Sequence, residues 1–215
     1  MNKEKTILET LRESIISNKF RPGEHLVERD LAAAHGISRT LVRDAFKQLE
    51  HDGLVRSVPN KGVFITSLTV EEVYEIYETR SVLEAYASRL AVRALTEEQV
   101  RRVEYLINTA AECVAKNDHQ EAHRYDQELH HLIVENCGNR YLCQMTTKLW
   151  MYILRLRWKA FRLPGRSEQT VIEHKNILHA LLTRDEDKME MLMRHHILIA
   201  RDTLLEAAEN NLIDL

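Results

Sequence analysis

The sequence predicts a mainly α protein in two unequal parts: a small head of three helices and a hairpin, then an all-α bundle of six helices. Three observations carry this. Only three prolines and six glycines occur in 215 residues, and they fall where apolar periodicity breaks: Pro22-Gly23, Gly36, Gly53, Pro59, Gly62, Gly138 and Pro164-Gly165. The stretch LVRSVPNKGVFIT alternates apolar residues around a Pro-Asn-Lys-Gly turn, as a two-stranded hairpin does. Beyond Ser67 the pattern is helical throughout, so the boundary lies near residues 66 to 69, dividing the chain into 1–67 and 68–215.

Residues 5–18 place Ile7, Leu8, Leu11 and Ile15 on one side, and residues 28–34 form a shorter helix ending near His35-Gly36. A third helix follows, with Ser38 as N-cap and Gly53 as C-terminal cap. Its apolar side is expected to contain Leu41, Val42, Ala45, Phe46 and Leu49. Helix, helix, helix, hairpin is the order of a winged helix-turn-helix. In the bundle, Thr69-x-x-Glu72 and Thr96-x-x-Gln99 read as capping boxes opening long helices. Helices are expected near 69–94, 97–116, 118–136, 140–162, 167–183 and 185–209.

Composition narrows the function classes. A chain 44% hydrophobic and 29% charged is ordinary for a folded globular protein. Its three cysteines, Cys113, Cys137 and Cys143, make no disulfide framework. The start MNKEKTILETL lacks the apolar core of a signal peptide, and no uncharged run reaches the roughly 18 residues of a membrane span. A cytoplasmic protein without a membrane partner is expected. Residues 1–67 carry 11 Lys and Arg against 9 Asp and Glu, a charge of +2, whereas the remainder carries 19 against 24, a charge of −5. That asymmetry permits nucleic acid at the head, and the overall negative charge argues against indiscriminate coating of DNA.

On the third helix Arg39, Arg43 and Lys47 recur every four residues and align on one face. Spacing alone favours a solvated surface face. In a helix-turn-helix, however, this helix enters the major groove with its N-terminal residues at base edges. Arg39 and Arg43 suit guanine O6 and N7, and Lys47 suits phosphate. Ser38 and Thr40 can donate to phosphate at the helix N-terminus, and Lys61 and Gly62 sit at the hairpin tip, within reach of the backbone or minor groove. Double-stranded DNA is the expected partner.

The run FRPGEHLVERDLAAAHGISRTLVRDAFKQLEHDGLV with NKGVFI resembles the winged helix of GntR transcription regulators across residues 7–66. The resemblance implies DNA contacts at Arg29, before the first helix of the motif, and at Ser38, Arg39, Thr40, Arg43 and Gly62. Leu41 departs from the proline that many members carry there; proline at that position only preorganises the first turn.

Eight histidines lie in the larger part. His119, His123, His131 and His179 share sides with polar residues and are expected at the surface, and His195 shares its side with Asp202. By contrast, Asp126, Leu129, His130, Ile133 and Cys137 follow one helical stripe. His174 lies with Ile177, Leu178 and Leu181, and His196 with Leu192, Ile199 and Thr203. Each can be a separately satisfied core residue. Together, one carboxylate and three imidazoles suit Zn²⁺, Ni²⁺ or Mn²⁺, because an unpartnered buried carboxylate is costly and Asp-x-x-x-His puts two ligands on adjacent turns. Arg80 lies with Val73, Tyr77, Glu84 and Ala87, either as a buried Arg80-Glu84 ion pair or as an effector contact.

The segments TRSVLEAYASRLA, YDQELHHLIVENCGN and EHKNILHALLTRDEDKMEMLMRHHI resemble the FCD ligand-binding domain of the FadR-like GntR branch, over about residues 69–208. In metal-binding members the ligands correspond to Asp126, His130, His174 and His196. Six helices rather than seven make the chain similar to the VanR-type subgroup. The implied protein is a homodimeric repressor on a palindromic operator, controlled by a small carboxylate at a metal. Two alternatives share the same four residues: a metalloenzyme, which lacks an HExxH, a nucleophile elbow or a phosphate loop to support it, and a pure metal sensor.

Overall fold

The computed structural model describes residues 6–17 and 19–215, with side chains for all of these except 151–155. In the head, α1 (Ile7–Ile16) opens on a capping box in which the Thr6 amide donates to the Glu9 carboxylate at 2.8 Å. The expected helix ends at residues 5 and 18 lie outside the described residues. α2 (Glu28–His35) stops at Gly36, whose φ of +65° is a left-handed conformation that glycine adopts without steric cost. α3 (Arg39–His51) then starts on Ser38, whose hydroxyl accepts the Leu41 amide at 3.3 Å. Asp52, rather than Gly53, takes the C-cap position, and Gly53 follows it at φ +70°.

The hairpin β2 (Val55–Val58) and β3 (Gly62–Ile65) gains a third strand that periodicity did not reveal. β1 (His25–Leu26) pairs antiparallel with β3, His25 opposite Phe64 and Leu26 opposite Val63, giving the order β1-β3-β2. Two residues are too few to show alternation. The head closes around Leu11, Ile15, Val42, Phe46, Leu49 and Ile65, all buried. Each such side chain contributes about 1.5–3 kcal/mol relative to exposure. Leu41 is the exception to the expected apolar side of α3: it is 52% exposed, alongside the basic stripe.

The bundle is α4 (Val70–Ala94), α5 (Glu97–Ala115), α6 (His119–Glu135), α7 (Arg140–Phe161), α8 (Arg166–Leu182) and α9 (Glu186–Glu209). Both expected capping boxes form, at Thr69/Glu72 and Thr96/Gln99. Asp118, Asn139 and Asp185 cap α6, α7 and α9. α4 packs along α9, and α5 against α6 and α8, while α7 touches α4, α6, α8 and α9 and also α1 of the head. Among the described residues no helix is long and apolar enough to cross a membrane.

Candidate functional site

Asp126 and His130 project from α6, His174 from α8 and His196 from α9, and all four are buried in the middle of the bundle. One ligand atom from each lies within 4.8 Å of the others. His130 Nε2 and His196 Nε2 face one another at 3.3 Å, and Asp126 Oδ1 is 3.7 Å from His174 Nε2 and 4.0 Å from His130 Nε2. Ligand atoms about 2.1 Å from one shared ion are separated by roughly 3.0–4.2 Å, so the cluster needs only a small contraction to hold one.

The far sides of two imidazoles are fixed by carboxylates from neighbouring helices, which periodicity along one helix does not reveal as orienting groups. His130 Nδ1 is 2.9 Å from Glu84 Oε2 on α4, and His196 Nδ1 is 2.6 Å from Glu173 Oε2 on α8. With Nδ1 donating outward, both Nε2 lone pairs point inward, the orientation that metal-bound histidines take. Two lone pairs opposed at 3.3 Å repel unless a cation or proton lies between them. His174 Nε2 is buried with no hydrogen-bond partner. Burial holds His174 and His196 well below the usual imidazole range, with the neighbouring histidines adding to it, so both are neutral and ready to coordinate. Burial pushes the Asp126 carboxyl up, but the Arg157 guanidinium, with smaller contributions from His130, His174 and His123, pushes it further down, leaving it ionised.

Arginines surround the cluster. Arg157 Nη2 donates to Asp126 Oδ2 at 3.1 Å, and Arg166 makes a bidentate pair with Glu173 at 3.0 and 3.1 Å. The Arg80-Glu84 ion pair anticipated from spacing forms and is fully buried; Glu84 also accepts the Trp150 indole N–H. Tyr77, Arg80, Asp126, Arg157, Arg166 and His196 line a cavity of about 30 Å³. The Tyr77 hydroxyl, buried among them, has no partner.

The surface expectation fails for His123. It is 6% exposed, packed against Trp158 and Phe161 at ring distances of 5.2 and 5.3 Å, with Nδ1 3.8 Å from Asp126 Oδ2. Burial pushes its imidazole down to about 4. His119 and His131 are partly buried, and the Trp150 ring of α7 covers His131 at 4.3 Å, on a face that looks polar in isolation. His179 and His195 are exposed, as expected. Signals for the missed groups existed: Glu173 stands four residues before Ile177, and Arg157 seven after Trp150, both on buried stripes.

On the head, Arg39, Arg43 and Lys47 share one exposed face of α3, with side-chain exposures of 63%, 55% and 70%. Ser38 spends its oxygen on the cap, leaving its hydroxyl hydrogen free, and Thr40 is exposed in the first turn. Arg29 lies inside α2, as its second residue, rather than before the helix, and pairs with Asp30 at 3.0 Å. Helix initiation at Glu28 carries it into the first turn. Lys61 is exposed in the turn that Gly62 closes. Arg29, Arg39, Glu28, His25 and Gly62 line one cleft between α2, α3 and the wing. A Cβ at Gly62, where φ is +107°, would come within 2.4 Å of His25 Nε2, so only glycine lets the imidazole lie against the wing.

Known proteins align with this arrangement. The model of the GntR family of bacterial regulatory proteins matches residues 3–65, and that of the FCD domain matches residues 75–198. The HTH-type transcriptional regulator YdhC of Bacillus subtilis is 29% identical over 86% of this chain and 84% of its own length. The HTH-type transcriptional repressor GlaR of Escherichia coli is 28% identical over 94% of this chain and 95% of its own. The solved structure of Escherichia coli McbR/YncC superposes with a TM-score of 0.79 at 20% identity, over 94% of this chain and 96% of that one, a likeness of fold. The chain belongs to the GntR family of DNA-binding bacterial transcription regulators, in the group that carries an FCD domain, and is a regulator rather than an enzyme.

Proposed function

We propose that the protein is a cytoplasmic repressor of the VanR-type subgroup that binds a palindromic operator as a homodimer and is controlled by a small carboxylate at a metal centre. Residues 1–67 serve as the DNA-binding domain, and residues 68–215 as the effector and dimerisation domain. The observation that carries the metal reading is the pair of opposed Nε2 atoms, His130 and His196, 3.3 Å apart and fixed from behind by Glu84 and Glu173. Asp126, His130, His174 and His196 hold Zn²⁺, Ni²⁺ or Mn²⁺, which supplies positive charge and open positions for ligand oxygens.

The second half of the reading rests on the cavity beside the cluster. Tyr77, Arg80, Arg157 and Arg166 all present donors there, which favours an anion, and Tyr77 lacks any other partner. About 30 Å³ accommodates roughly one water. A carboxylate therefore enters only as Arg157 releases Asp126 and α7 shifts. Because α7 also touches α1 of the head, the two arrangements of α7 present the recognition helices differently. Operator affinity changes by the effector's differential affinity for those two arrangements.

The cavity's small size favours one further reading, a pure metal sensor in which no acid enters. Elemental analysis of the purified protein, followed by operator titrations with metal alone and with metal plus small carboxylates, separates the two. A carboxylate that changes operator affinity only in the metal-loaded protein supports the proposal. A full response to metal alone, unaltered by any acid, selects the sensor. Metal-free protein that gains neither metal nor thermal stability on titration overturns both.

A further inference from the structure

Among the basic residues on the DNA-facing side, the way Arg43 is held is distinctive. Arg29 and Lys47 pair with exposed neighbours in their own helices, Asp30 and Asp44. Arg43 reaches out of α3 to Glu28, the first residue of α2, fifteen positions earlier in the chain. Its Nε donates to Oε1 at 3.0 Å and its Nη2 to Oε2 at 2.8 Å, while Arg39 Nη2 stands 3.6 Å from the same Oε2. The Glu28 side chain is only 22% exposed, so this carboxylate is seated between the helices with both arginines above it. Its hydrogen bond with Arg43 holds its carboxyl below the usual carboxylate range, and its place in the first turn of α2 favours the ionised form.

Guanidinium geometry gives the pairing its consequence. A side-on pair with a carboxylate consumes the Nε hydrogen and one Nη2 hydrogen. The outer edge, with one hydrogen each on Nη1 and Nη2, stays free, and that edge matches guanine O6 and N7. We propose that Glu28 is a positioning residue for sequence readout, fixing Arg43 end-on toward the groove and drawing Arg39 alongside it before DNA arrives. The rotamer freedom of a long side chain is then lost in the free protein rather than on binding. Glu28 also opposes random DNA, since its charge repels phosphate where no guanine rewards the fixed geometry. Its net effect is to raise the operator-to-random ratio rather than affinity as such. The inference rests on the proposed reading of Arg39 and Arg43 as base contacts.

The test uses the full-length protein and two duplexes of equal length, one selected by the wild type from a randomised library and one random, with affinities read by fluorescence anisotropy at fixed salt. Glu28→Ala is expected to lower the operator-to-random ratio about tenfold, with random affinity unchanged or higher. Glu28→Asp keeps the charge but shortens the reach, and is expected to lower the ratio in the same direction. Glu28→Gln keeps the reach and one acceptor, and should lie between wild type and alanine. Should alanine fail to fold, the other two carry the test. A ratio within about twofold of wild type in Glu28→Asp, whatever the alanine variant does, overturns the inference, because charge alone then suffices. Arg43→Ala separates the underlying reading: a ratio unchanged there removes base readout itself, whereas a ratio lost there and kept in the Glu28 variants removes only the positioning role.

Discussion

His174→Ala separates a metal centre from a cluster of buried histidines. In the metal-free protein His174 Nε2 has no hydrogen-bond partner, so its removal relieves about 1–3 kcal/mol of unsatisfied polarity. The cavity left behind costs about 2–4 kcal/mol. The metal-free variant should therefore lie only about 1–2 kcal/mol below the wild type. Metal changes the comparison. An ion present at about 1,000 times its dissociation constant stabilises the folded state by about 4 kcal/mol, roughly 8–16 °C in melting temperature for a chain of this size. The wild type gains this; the variant, lacking one of four ligands, loses most of it. The gap between the two melting curves should widen by several degrees when chelator is replaced by Zn²⁺, Ni²⁺ or Mn²⁺ in differential scanning calorimetry. The same gap with and without metal would refute the coordination argument and return His174 to an ordinary core residue.

Arg43→Ala is expected to cost about 1–3 kcal/mol on the operator and much less on random DNA, whereas Lys47→Ala weakens both and lowers the salt slope by about one; anisotropy titrations across salt concentrations distinguish them. Glu84→Gln removes the charge that Arg80, His130 and Trp150 share in the core, and should destabilise the protein by about 3–5 kcal/mol in urea unfolding. The sign of the acid response follows from His123, whose imidazole is pushed from 6.5 to about 4 by burial. The unfolded chain binds the proton first, so the His123 contribution to metal-free stability is intact above pH ~6.5 and falls by about 3 kcal/mol as pH drops toward ~4, in the same direction as those of His174 and His196. Urea denaturation of His123→Gln should show a shallower decline over that window; an unchanged slope would mean that His123 titrates normally.

Much of the architecture was legible because its causes are local. Capping at Thr69, Thr96 and Ser38 needs only a hydroxyl and the amides two or three residues on. The burial of Asp126, His130, His174 and His196 was readable because a polar residue on an apolar stripe shares that stripe's fate. Where the reading failed, the cause was another element. His123 sits among polar neighbours on α6, but Trp158 and Phe161 of α7 cover it. β1 exists only because β3 offers it an edge.

By itself the sequence determined the helix boundaries, the winged head, the basic stripe and the four candidate ligands, since each follows from contacts within a few residues or from periodicity along one helix. Only the tertiary structure decided which charges meet across helices: Glu84 and Glu173 behind the imidazoles, Arg157 on Asp126, and Glu28 under Arg43. Those pairings depend on side-chain reach and helix placement in three dimensions, and distance along the chain carries no information about them.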